Sequence, residues 1–264
     1  MITIYTFVGK REDLIKHQQY SFETNLKQDF EHIVINNEAL ANNSLSQKIK
    51  DECNKLNIKY IDVCIDKDLM ERCCKLDNKP HIHDGKNYYN AGIAHAYALC
   101  WAWKHHIKHK KDKVLILDMD MFFLKPELLN MDNYDLMYCP QTRPNVSEYI
   151  WPGFLLMNMN TLPNLHDFDL FCGLIDGTGV DVGGQTAIYL QNNKNNLKIK
   201  HILIPNIVDD KLKNLFDPPY YQYVNLNFDN YNGILHMAGA SNWAYHSKNY
   251  IENKTDWVLK QLYK

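Results

Sequence analysis

The chain has 264 residues, 45% hydrophobic and 23% charged, with a formal net charge of −2. That length supports a full core in one large domain, and that composition excludes a disordered or fibrous chain. A nearly neutral surface also offers no bulk attraction to nucleic acid. The seven cysteines (Cys53, Cys64, Cys73, Cys74, Cys100, Cys139 and Cys172) are odd in number, irregularly spaced and without a CxxC pair. They fit reduced thiols better than a disulfide framework.

The opening stretch, MITIYTFVGKRED, reads as strand and turn rather than as a signal peptide. ITIYTFV (Ile2–Val8) is the first predicted strand, followed by a helix over about Glu12–Asn25. HIVINN (32–37) is a second strand. SLSQKIKDECNKLN suggests a helix with Ser44 near its N-cap, and KYIDVCI (59–65) a third strand. Residues 90–109 form a strong helix, apolar almost all round and then basic, with Lys and His complementing its negative C-terminus. Its apolar part, Ala91 to Trp103, is interrupted by His95 and too short to span a bilayer. A cytoplasmic protein without a transmembrane segment is expected.

The strand VLILD then completes a βαβαβαβ order, which implies a largely parallel central sheet flanked by helices. The second half is more mixed. DLMYCPQ (135–141), GFLLMNM (153–159), KHILIPNIV (200–208) and GILHMAG (233–239) read as strands, with a helix over about 183–192. Residues 250–264 read as a docking helix. No internal repeat or linker divides the chain, so a single α/β domain is predicted over 1–264. Its two lobes are 1–126 and 127–264.

The run VLILDMDMFFLKP (114–126) carries the most chemistry. A fully apolar strand ends in Asp118 and Asp120, and residues i and i+2 of an extended segment point the same way. Ligands of open α/β sheets bind at that C-terminal edge. Two carboxylates converging there repel one another unless a cation lies between them. A hard divalent ion such as Mn²⁺ or Mg²⁺ answers that need and keeps open positions for phosphate oxygens. Asp66/Asp68 and Asp167/Asp169 repeat the spacing, but both pairs fall in polar connections where solvated carboxylates are expected.

Three segments together resemble the GT-A-fold glycosyltransferases, most nearly the glycogenin-like and bacterial galactosyltransferase-like family 8. LDMDMFFLKP is similar to their DxD strand, WPGFLLMNM (151–159) to their Gly-containing strand ending in Asn, and HMAGASNW (236–243) to their late His-x-x-Gly segment. The resemblance implies a transferase moving a sugar from a nucleotide-sugar donor, UDP-linked by preference, to a carbohydrate or glycosylated acceptor. It also implies that His236 joins Asp118 and Asp120 as a third metal ligand, which suits Mn²⁺.

Around that centre, Thr6, Phe7, Val8 and Asn36 end the first two strands and are the candidates to hold the nucleoside. Lys86 in HDGKNYYN, with Lys248 as a second choice, is a candidate counter-charge for the leaving group. Asn90 and His95 open the buried helix, Met119 sits between the two aspartates, and Gly239 would let the backbone pass close to the diphosphate. Asp181, just before a predicted helix, is either an N-cap or a general base giving inversion. Gln185 matches the position of the family's acidic-motif partner and would line the sugar, so stereochemistry stays open. Trp151 and Trp243, with Tyr149 and Tyr245 nearby, are candidate acceptor platforms or core residues. A metal-dependent phosphoesterase and a non-catalytic carbohydrate-binding module are the alternatives. The absence of GxGxxG after the first strand and of GxxxxGK[ST] removes dinucleotide and P-loop readings.

Overall fold

The computed structural model describes residues 1–77, 82–83, 86–87, 91–126, 129–143, 145–202, 206–207, 223–228, 231–237, 252, 255–256, 259–260 and 262–263, with backbone alone for 77, 82–83, 86–87, 91, 206–207, 223–228 and 231–232. Strand β1 (Ile2–Val8) leads through α1 (Ile15–Asn25) to β2 (Phe30–Asn36), α2 (Asn43–Lys55), β3 (Lys59–Asp62) and α3 (Lys67–Asp77). A two-residue hairpin of β4 (Ile82–His83) and β5 (Lys86–Asn87) precedes α4 (Ala91–His105) and β6 (Lys113–Asp118). The short β7 (Met121–Phe123) comes next, then β8 (Leu136–Arg143), β9 (Val146–Asn158), β10 (Gly173–Ile175), β11 (Thr178–Val180), α5 (Thr186–Asn193) and β12 (Ile199–His201). The last strands are β13 (Asn206–Ile207), β14 (Tyr223–Phe228) and β15 (Tyr231–Met237).

Seven strands form the main sheet in the order β12-β8-β9-β6-β1-β2-β3. The pairs β12·β8, β6·β1, β1·β2 and β2·β3 are parallel; β9 runs antiparallel to both β8 and β6. The expected α/β architecture, a mostly parallel sheet flanked by helices, is therefore present. All seven residues of β1 are buried. One face, with Tyr5 and Phe7, packs against α4; the other, with Ile2 and Ile4, packs against Phe22 of α1. Covering both faces is why these strands read as unbroken apolar runs. It also explains α4, whose residues Ala96 to Trp103 are all buried.

Several expectations need correction. Ser44 does not cap α2: Asn42 does, its Oδ1 accepting the Leu45 N–H at 3.1 Å. Asp66 is not in a solvated loop either. It precedes α3, takes the Leu69 N–H at 3.2 Å, and is buried against Lys104 (2.8 Å) and His105 (2.9 Å) of α4. Burial alone would raise its carboxyl, but the Lys104, His105 and Leu69 hydrogen bonds outweigh it and hold the group down at about 2. Its contribution to stability is full above the ordinary carboxylate range and is lost as pH falls towards 2. Asp169 likewise forms a bidentate pair with Arg72. The segment 200–208 is not one strand: β12 and β13, its described parts, belong to different sheets. In the C-terminal segment, Leu262 packs with Val8 and Met119, and Tyr263 Oη lies 2.7 Å from His17 Nδ1, so the expected docking holds for the described residues. Among the described residues no helix is long and apolar enough to cross a membrane.

Candidate metal centre

Asp118 ends β6 at the C-terminal rim of the main sheet, opposite Phe7 of β1. The chain turns at Met119 and Asp120 and re-enters as β7 in a second, four-stranded sheet, β13-β14-β15-β7. There β7 pairs antiparallel with β15, so that Met121 faces His236. The Met237 N–H donates to the Asp120 carbonyl at 2.8 Å. This ladder brings an imidazole 116 positions downstream against the DxD turn. Asp118, Asp120 and His236 each offer a ligand atom, and those atoms lie within 4.8 Å of one another.

The electrostatics are unbalanced. Burial pushes the Asp118 carboxyl up from its ordinary value, the negative charge of Asp120 pushes it further, and His236 opposes. Asp120 Oδ1 is buried and makes no hydrogen bond, although His236 Nε2 is 3.4 Å away. A buried carboxylate oxygen without a hydrogen bond is costly. Two hard oxygens and an imidazole fit a divalent cation, which would satisfy that oxygen and cancel the repulsion.

Of the further predicted residues, His95, Asp181 and Trp151 have interactions that reach this centre. His95 Nε2 of α4 lies 3.8 Å from Asp118 Oδ1, and its ring meets Phe7 edge-on at 5.7 Å. Burial lowers His95 to about 4 against the opposing pull of Asp181 and Asp120, so the ring is neutral at pH 7. Asp181 is exposed, and its charge reaches both His95 and Asp118. It does not cap α5; Gln185 holds that position, and Asp181 Oδ1 instead accepts its neighbour Val182 N–H at 2.8 Å. Gln185 Nε2 is directed at Leu174 O of β10, 3.4 Å away. Trp151 packs on His236, ring centroids 5.2 Å apart. Gly153 makes this possible: a side chain there would overlap the Trp151 ring, which lies across the strand.

Burial restricts what other predicted residues can offer. Thr6 Oγ1 is fully buried and spent on His32 Nε2 at 3.0 Å. The side chains of Val8 and Met119 lie in an apolar cluster with Phe122 and Leu235, which leaves only their backbone for a ligand. Asn36 is fully buried, its amide donating to Ser46 Oγ and Asp62 Oδ1, both at 2.8 Å, rather than facing a base. Tyr149 is fully buried among Val146, Val180 and Ala187, too deep to stack on a sugar. Asn90, Gly239, Trp243, Tyr245 and Lys248, with the side chain of Lys86, lie outside the described residues.

Two features went unread in the sequence. Along the same rim, at the ends of β2 and β3, a cavity of about 540 Å³ is lined by Ser46, Lys50, Asp62, Val63 and Ile65 among others. Beneath the DxD turn, Gln18 and Asn25 of α1 donate to backbone carbonyls. Their spacing of seven, two helical turns, was the available signal.

No protein-family model and no curated protein matches this sequence. The solved structures it is similar to are glycosyltransferases. The galactosyltransferase LgtC, in complex with donor and acceptor sugar analogues, is 14% identical over 97% of this chain and 96% of its own, with a TM-score of 0.45. The mannosyltransferase PcManGT from Pyrobaculum calidifontis, in complex with GDP-Man and Mn²⁺, is 11% identical over 76% of this chain and 54% of its own, with a TM-score of 0.42. Mouse xyloside xylosyltransferase 1 is 9% identical over 62% and 70%, with a TM-score of 0.35.

Proposed function

We propose that this chain is a metal-dependent glycosyltransferase, moving a sugar from a nucleoside-diphosphate sugar to a hydroxyl of a carbohydrate or glycosylated acceptor. The observation that carries the reading is the buried, unbonded Asp120 oxygen beside Asp118 and His236 at the open rim of the sheet. Asp118, Asp120 and His236 would hold Mn²⁺ or Mg²⁺, which as a Lewis acid stabilises the departing diphosphate. A UDP-sugar is the donor we favour, on the sequence resemblance.

The chain's own groups supply the rest. The nucleoside would run along the rim, past Phe7, towards the cavity beyond β2. Neutral His95 would donate a hydrogen bond without adding charge. The exposed Asp181 carboxylate would take the acceptor's proton as it attacks, and Trp151 would offer its partly exposed ring to the acceptor sugar.

The test is a panel of UDP- and GDP-sugars incubated with the purified chain, with nucleoside diphosphate release followed by mass spectrometry. One donor should be consumed with Mn²⁺, consumption should stop with EDTA, and added Mn²⁺ should restore it. Hydrolysis of simple phosphate monoesters at a matching rate would favour a phosphoesterase instead. No donor turnover in Mn²⁺ would overturn the proposal.

A further inference from the structure

Strand β7 carries the DxD turn into the second sheet as an edge strand, paired with β15 alone among the described strands. Its other edge faces α1 inside the protein, where bare carbonyls would be left unsatisfied and costly. Side-chain amides of α1 cover that edge in place of a neighbouring strand. Asn25 Nδ2 donates to Phe123 O at 2.7 Å. Gln18 Nε2 donates twice, to Asp118 O at 2.8 Å and to Met121 O at 3.0 Å. Both side chains are buried, and they stand two turns apart on one face of α1.

The two amides do different jobs. Asn25 satisfies a carbonyl beyond the turn. Gln18 joins the residue that opens the turn to the residue that closes it, with Met119 and Asp120 between. One rigid NH₂ group therefore fixes the distance across the loop that bears both carboxylates. Without a cation those carboxylates repel, and the repulsion favours a wider turn. The Gln18 bridge opposes that widening before any cation arrives. The helix is itself anchored next door, where His17 meets Tyr263.

We infer that Gln18 is a positioning residue, which holds Asp118 and Asp120 at the separation one divalent cation requires. The inference rests on the reading of Asp118, Asp120 and His236 as a metal centre. Partners that orient metal ligands are typically worth about 10–100-fold in metal affinity, and that is the effect expected here.

The experiment titrates Mn²⁺ into wild type, Gln18→Met and Asn25→Met without nucleotide, reading free Mn²⁺ by electron paramagnetic resonance and melting temperature in EDTA. Methionine keeps the length of Gln18 and removes both donors. Gln18→Met should bind Mn²⁺ about 10–100-fold more weakly, with full occupancy regained at high Mn²⁺. Asn25→Met should melt lower and keep wild-type Mn²⁺ affinity. If Gln18→Met does not fold, Gln18→Asn, whose shorter amide cannot reach both carbonyls, takes its place with the same expectation. Wild-type affinity in the Gln18 variant, or equal weakening in both variants, overturns the inference and leaves the metal centre standing. A wild type that binds no Mn²⁺ overturns both.

Discussion

Asp120→Asn is expected to slow the proposed donor consumption about a thousandfold and, at the same time, to stabilise the metal-free protein. Asparagine keeps the shape of the side chain but removes one of the negative charges that would bind the cation. Lewis-acid stabilisation of a leaving diphosphate is worth several kcal/mol; losing about 4 kcal/mol slows turnover about a thousandfold. The stability effect has the opposite sign. In the metal-free chain Asp120 raises the Asp118 carboxyl, which burial already raises. A carboxyl raised on folding costs stability as pH climbs from its unfolded value to its folded one. Removing Asp120 relieves part of that cost, so the gain in melting temperature should be larger at pH 8 than at pH 4. Melting in EDTA at both pH values, beside the donor assay, checks both halves. An inactive variant that melts lower than wild type at pH 8 would point to misfolding instead.

The second large effect lies in the turn that carries Asp181. Gly183 has φ +83°, the left-handed region, and a Cβ there would run into the Ile150 carbonyl oxygen and come within 2.9 Å of Pro152 Cδ. The turn is tied on two sides: the Gly183 N–H donates to Leu170 O, in the segment before β10, at 2.9 Å, and the Ile150 N–H of β9 donates to Thr186 Oγ1 at 2.9 Å. Gly183→Ala combines about 1–2 kcal/mol of backbone strain with about 1–3 kcal/mol of overpacking. At about 2–4 °C per kcal/mol for a chain of this size, the melting temperature falls by about 10 °C. Ile150 precedes Trp151, which packs on His236, so the folded fraction should also lose donor turnover. Thermal unfolding followed by circular dichroism decides it, and an unchanged melting temperature would show that the turn yields without cost.

What could be read from the sequence followed from burial on both faces of a sheet. VLILD had to be a central strand because it has no polar face, so its end had to fall at the rim of the sheet. Asp118 and Asp120 were visible for that reason. His236 was visible only through resemblance, because antiparallel pairing between β7 and β15 joins segments more than a hundred positions apart. The errors have a common cause. Thr6, Asn36 and Asp66 are polar groups towards the ends of buried elements, where sequence suggests exposure. Each is instead buried by a partner from a distant element: His32, Ser46 with Asp62, and Lys104 with His105. Gln18 was missed for the same reason, since a glutamine on a helix reads as solvated until its carbonyl partners are known.

The most direct measurement is anomalous diffraction at the manganese edge from crystals grown with Mn²⁺ and a nucleoside diphosphate. One peak within bonding distance of Asp118, Asp120 and His236, with diphosphate oxygens completing its shell, is the predicted result. Nucleotide bound elsewhere, or no peak between those three side chains, would contradict it.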